Sequence, residues 1–194
     1  MTFNLLDIIL LLASAQGAFL AVLILHKHKK VFANRFLGAL ILGYSVILIN
    51  LFLEEINFYI HHPIISMIAL SFIFIVGPLH YLYTKYLIRQ IQQFQIIDIF
   101  HFFPLFLYYF ILILPGSPLY GILIQAMQHT QDEQLPVFLL LVNWFILLFN
   151  GSYFFPIYKL IRQYRHYIKD FFSTLDQIRM DWLRNITLMA IATI

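Results

Sequence analysis

Five long apolar runs constrain this chain more than any other feature. They cover residues 5–25, 36–53, 64–82, 99–114 and 135–161. A helix needs about 20 mainly apolar residues to cross the hydrocarbon core of a bilayer, and each run is close to that length. The expected fold is therefore all-α, a multi-pass transmembrane helix bundle. A sixth run starts near Ile186 and has only residues 186–194, so the chain is expected to stop inside a span, with residues 1–194 forming a truncated membrane domain. Composition agrees: 62% of residues are hydrophobic and 11% charged, against about 45–50% and about 25% in soluble domains. There is no cysteine, which excludes a disulfide framework, a thiolate nucleophile and cysteine metal sites.

The basic residues orient the runs. Lys27, Lys29, Lys30 and Arg35 separate the first run from the second; Lys85 and Arg89 follow the third; Lys159 lies at the end of the fifth and Arg162, Arg165, Lys169, Arg179 and Arg184 follow it. These three loops hold all twelve Lys and Arg residues. Because basic loops stay on the cytoplasmic side, the N-terminus is expected outside, and the stretch from Lys159 to Arg184 is the expected cytoplasmic anchor. The net charge of +3 follows from that topology and gives no reason to expect nucleic acid on the chain itself. Ala13-Ser14-Ala15 mimics a signal-peptidase site. Met1 to Asp7 has no basic residue, however, and the apolar run continues to Leu25, so the segment reads as a span.

Several residues stand out against this background. Gly77-Pro78 lies inside the third run, where proline removes a backbone donor and crowds the preceding turn, so a kink or hinge is expected there. Ala13, Gly17 and Ala21 on the first run, with Ala39 and Gly43 on the second, have the small-residue spacing of closely packed antiparallel helices. Asn34 is placed to cap the second helix. Gln16, Asn50, Asn143 and Asn150 are polar residues inside spans and are expected to face the bundle interior, where they can line a pocket or bond between helices. His61-His62 near Glu54 and Glu55 is the densest outer histidine cluster, but adjacent helix residues point about 100° apart and make a poor metal site. His80 and His101 read as structural. No catalytic residue, metal site or cofactor is expected. Leu119 to Met127 is too short to span and suits an interfacial helix.

The basic block admits two readings. Ile161, Tyr164, Ile168, Phe171, Leu175, Ile178 and Trp182 have the alternating spacing of a coiled-coil seam, which would support a homodimer. Ser173-Thr174 with Asp176-Gln177 resembles a capping box, which ends one helix near Phe172 and starts another; this break is the favoured reading.

The segments from Ala15 to Leu42, Val76 to Leu87, Phe100 to Phe110 and Asp170 to Ile186 resemble the membrane sensor region of AraC-type transcriptional regulators of Bacteroidota-like bacteria. The most specific elements are Gln16-Gly17, Ala33-Asn34-Arg35, Gly77-Pro78 and Phe172 to Arg184. The resemblance implies a bacterial inner-membrane bundle, typically of seven helices, that senses a signal ligand and relays it to a cytoplasmic domain with two helix-turn-helix motifs. That domain is absent from these 194 residues, so DNA would be contacted only through it. Alternatives are a sensor bundle with a histidine kinase or other output, and a small transporter. The last would be expected to show paired intramembrane carboxylates or inverted repeats, which are not seen.

Overall fold

The computed structural model describes residues 4–27, 31–113, 121, 137–171 and 185. Among these residues there is no strand, and the chain is an all-α membrane bundle. Its helices are α1 (Leu5–Lys27), α2 (Ala33–Glu55), α3 (Pro63–Ser71), α4 (Ile73–Ile88), α5 (Phe103–Ile113), α6 (Val137–Ser152) and α7 (Phe154–Phe171). Short 3₁₀ segments lie at Phe58–Ile60 and Ile96–Phe102. Five stretches are long and apolar enough to cross a membrane: Leu5–His26, Ala33–Glu55, Pro63–Ile88, Ile96–Ile113 and Leu140–Tyr164. They match the five expected runs. The sixth run (apart from Asn185 just before it), the interfacial segment (apart from Gly121) and the capping box near Ser173 lie outside the described residues.

Helix α1 begins where Asp7, in its first turn, accepts the backbone N–H of Asn4 at 2.8 Å. The arrangement occupies an otherwise orphan donor and sets an acidic group at the positive end of the helix dipole. Helices α1 and α2 pack antiparallel: Gly17 lies against Ser45, while Gly38 lies against Leu25 and the backbone of Ala21. A side chain at Gly17 or Gly38 would collide with these neighbours, so the small residues are what permit the approach. The α2 partners differ from those expected, however. Gly38 and Ser45 face α1, whereas Gly43 faces Ile75 of α4, which a Cβ at position 43 would meet at 3.6 Å. Asn34 is not the cap of α2. It follows Ala33 inside the first turn, Phe32 holds the capping position without a side-chain bond, and the N–H groups of Asn34 and Arg35 bond to the carbonyls of Val31 and Phe32.

Helix α4 is the hub. It packs on α2, α5, α6 and α7, and is buried nearly all round from Val76 to Tyr86. One core cluster joins Phe36 and Leu40 of α2, Leu79, Leu82 and Tyr86 of α4, and Ile157 and Ile161 of α7; a second joins Phe74, Tyr108 and Ile146. A helix apolar on all sides is suited to this central position.

The third span is interrupted, but not at Gly77-Pro78. α4 runs through both residues, and the interruption falls at Phe72, between α3 and α4. There the backbone tightens to three-residue bonds, Phe72 N–H to Ala69 and Ile75 N–H to Phe72. Pro78 has no N–H to give to the carbonyl four residues back, and its ring crowds that carbonyl, so irregularity accumulates in the turns before it. Helix α5 supplies partners: the Tyr108 hydroxyl donates to the Met67 carbonyl at 2.8 Å, and Ser71 and Tyr109 share a hydroxyl pair at 2.7 Å. The fifth span is also interrupted, at Tyr153. α7 beyond it is amphipathic, with Ile157, Leu160 and Ile161 buried and Lys159, Arg162 and Gln163 exposed.

Candidate functional site

A run of buried and half-buried polar groups forms a seam beside α4. Its upper part is an amide wedge. Asn150 of α6 accepts the Gly77 N–H at 2.9 Å through Oδ1, and its Nδ2 donates to the Ile73 carbonyl at 3.2 Å. In a regular helix the N–H of residue 77 pairs with the carbonyl of residue 73. The side chain of one helix therefore adds a further partner to each of two backbone groups in the first turn of another. Nδ2 also donates to Ile146 in its own helix at 3.0 Å. Glycine is required for this approach, since a Cβ at position 77 would lie 2.8 Å from both Asn150 Oδ1 and Tyr153 Cδ2.

Tyr153, at the break between α6 and α7, carries the seam onward. Its hydroxyl lies 3.2 Å from His101 Nδ1 and donates to the His101 carbonyl at 3.3 Å. The His101 ring packs on Tyr81 with centroids 4.9 Å apart. Asp98 precedes His101 by three residues on the same 3₁₀ segment, a spacing that brings side chains onto one side.

Asp98 forms the lower part. It is 1% exposed, and its Oδ1 accepts from Lys85 Nζ at 2.6 Å. Lys85 also donates to Gln95 Oε1 at 2.8 Å, and the Tyr86 hydroxyl donates to Asp98 Oδ2 at 2.8 Å. The backbone N–H of Gln95 closes the ring onto the Tyr86 oxygen at 2.8 Å. A buried ion pair is tolerable only when such bonds occupy the remaining lone pairs and protons, as they do here. Lys85 is therefore not the headgroup-facing cation that its place in the basic loop suggests; it is 6% exposed and paired, while Arg89 is exposed.

The structure separates the four polar residues expected inside the bundle. Asn150 is interior, as described. Asn50 is half-buried and accepts the Tyr59 hydroxyl. Burial and the Glu54 carboxylate push the Tyr59 phenol above its ordinary pKa of 10.0. Asn143 is exposed. The packed side of α6 follows Val142, Ile146, Phe149 and Tyr153, and Asn143 falls beside this stripe. Gln16 is exposed as well, on the side of α1 away from α2. Of the six residues expected to form a cytoplasmic anchor, Lys159 and Arg162 are exposed on α7; Arg165 and Lys169 belong to the same helix, and Arg179 and Arg184 lie outside the described residues. His80 is buried, His61 and His62 are exposed, and His62 packs on Phe58 at 4.5 Å.

Sequence reasoning missed Lys85, Asp98, Tyr86, Gln95 and Tyr153 as a connected set. The signal that could have found them is Asp98 itself. It stands in Ile96-Ile97-Asp98-Ile99-Phe100, and a carboxylate within a run of apolar residues requires a nearby cation. Chemically, the seam can hold and reorient protons and hydrogen bonds. Among the described residues no group of three His, Cys, Asp or Glu could hold a metal ion. Compared with known proteins, the chain matches no family model, no curated protein and no solved structure.

Proposed function

We propose that the chain is the membrane-embedded sensory domain of an AraC-type transcriptional regulator in a bacterial inner membrane. A signal ligand at the outer face or within the bundle changes helix packing, and α7 relays the change toward a helix-turn-helix domain that would bind DNA. The resemblance of Ala33-Asn34-Arg35, Gly77-Pro78 and Phe172 to Arg184 to that family supports the output. One structural observation supports the relay. Asn150 clasps α4 at Gly77, and Tyr153, only three residues later, forms the joint from which the basic helix α7 leaves. Movement of α4 about Gly77-Pro78 would therefore act directly on the root of α7. Coupling of this kind requires the signal to bind one arrangement better than the other.

The coding DNA beyond Ile194 tests the assignment. Two helix-turn-helix motifs following a seventh span support it, and a kinase domain there would replace it with the histidine-kinase reading. The relay has its own test: Pro78→Leu in the full-length regulator should blunt the response to signal in a reporter assay, and an unchanged response would refute the hinge.

A further inference from the structure

We propose that α1 is the contact through which two copies of this chain associate in the membrane, with Gln16 of each copy hydrogen-bonded to Gln16 of the other. This stands apart from the sensory assignment and rests on α1 alone. The helix carries two seams of alternating three- and four-residue spacing. Asp7, Leu10, Ser14, Gly17, Ala21 and Ile24 form the buried or half-buried side that includes the α2 contact. Leu5, Ile9, Leu12, Gln16, Phe19 and Leu23 form the other, and all six are exposed. At about 100° per residue the two seams lie on opposite sides of the helix. Leu12 is 57% and Phe19 67% exposed, so the side chains flanking Gln16 have no cover from the other described residues.

Lipid alone accounts for apolar residues there, but not for Gln16. It is the twelfth residue of the 22-residue span Leu5–His26, about 15 Å from either end at about 1.5 Å per residue. Its side chain is too short to reach the headgroups from that depth. Hydrocarbon offers the amide no hydrogen-bond partner, which makes an isolated position costly. A second copy meets the requirement. All copies share one orientation in the bilayer, so a two-fold axis along the membrane normal brings identical residues together at equal depth. An amide carries both donor and acceptor, so two of them are mutually complementary. A polar residue at the centre of a seam with this spacing also fixes register and partner number.

The absence of cysteine makes the test direct. Single cysteines at Leu12, Phe19 and Val22 are introduced into the full chain in native membranes and oxidised, and the products are read by gel mobility. Val22 is also exposed but off the seam. Homodimer crosslinks at Leu12 and Phe19, with little at Val22, are expected. Gln16→Leu should weaken association of the purified chain in bicelles by about threefold to thirtyfold, the range of one interhelical hydrogen bond, and Gln16→Asn should retain most of it. Equal crosslinking at all three sites, none at any, or a crosslink to a different protein would overturn the proposal, as would unchanged association of Gln16→Leu. The cysteine scan leaves Gln16 intact, so it decides the matter even where the Leu variant folds poorly.

Discussion

Replacing Gly77 by alanine isolates the contact on which the bundle turns. In a helix interior alanine is favoured over glycine by about 1 kcal/mol, so propensity alone makes the substitution stabilising. The site opposes it. The added carbon would stand 2.8 Å from Asn150 Oδ1, 2.8 Å from Tyr153 Cδ2 and 3.3 Å from Asn150 Cα. The Asn150 side-chain oxygen could rotate away, but the backbone of α6 cannot retreat without opening the α4–α6 interface. Overpacking of this kind costs about 1–3 kcal/mol, and losing the Asn150 bond to the Gly77 N–H adds about 1 kcal/mol. With the propensity gain subtracted, Gly77→Ala should destabilise by about 1–3 kcal/mol. Gly43→Ala is the internal control: its nearest neighbour would be Ile75 at 3.6 Å, an ordinary contact, so it should be neutral or stabilising by up to about 1 kcal/mol. Denaturation of both variants by SDS titration in mixed micelles, followed by helical circular dichroism, measures the difference. Equal midpoints for Gly77→Ala and Gly43→Ala would refute the close-approach argument.

Three further outcomes can be checked in the same assay. Lys85→Met leaves the Asp98 carboxylate buried without its cation and should cost about 3–5 kcal/mol, whereas Lys85→Met with Asp98→Leu should recover most of that loss. Tyr153→Phe removes the hydroxyl shared with His101 and should cost about 1 kcal/mol, with the α6–α7 joint loosened in hydrogen exchange. The Tyr59 phenol is raised above 10.0 in the fold. The folded state thus holds its proton more tightly than the unfolded chain, and the associated stability is present below about pH 10 and lost as pH rises through the folded value. Tyr59→Phe should flatten that alkaline decline.

Much of the architecture was legible because bilayer constraints are coarse. Residues 5–25 and 36–53 are apolar over a spanning length, and that decides helix without further information. The antiparallel α1–α2 pair followed from Gly17 and the short basic connection, although Gly38 and Ser45 of α2 were not recognised as its partners. The interior was less legible, because depth and length do not set rotation about a helix axis. Asn150 and Asn143 are seven residues apart and nominally on one side, yet only Asn150 reaches α4. Gln16 and Asn50 show the same ambiguity. By sequence Lys85 belongs with the topological cations because its neighbours are ordinary loop-end residues; only its pairing with Asp98, thirteen residues away, removes it from that group.

The turn at Tyr153 also has a mechanical consequence. Helix α7 has 18 residues, which at about 1.5 Å each makes an arm about 27 Å long. A swing of about 10° at its root would carry the far end through about 5 Å, close to one helical pitch. At the Asn150 clasp, about one helical turn from the joint, such a swing corresponds to a displacement of about 1 Å, provided that Ile157 and Ile161 repack against α4 as the arm turns. Were the proposed relay to operate, the joint would act as a lever with its short arm inside the bilayer, converting side-chain-scale adjustments into a stroke large enough to change what the far end of α7 can touch.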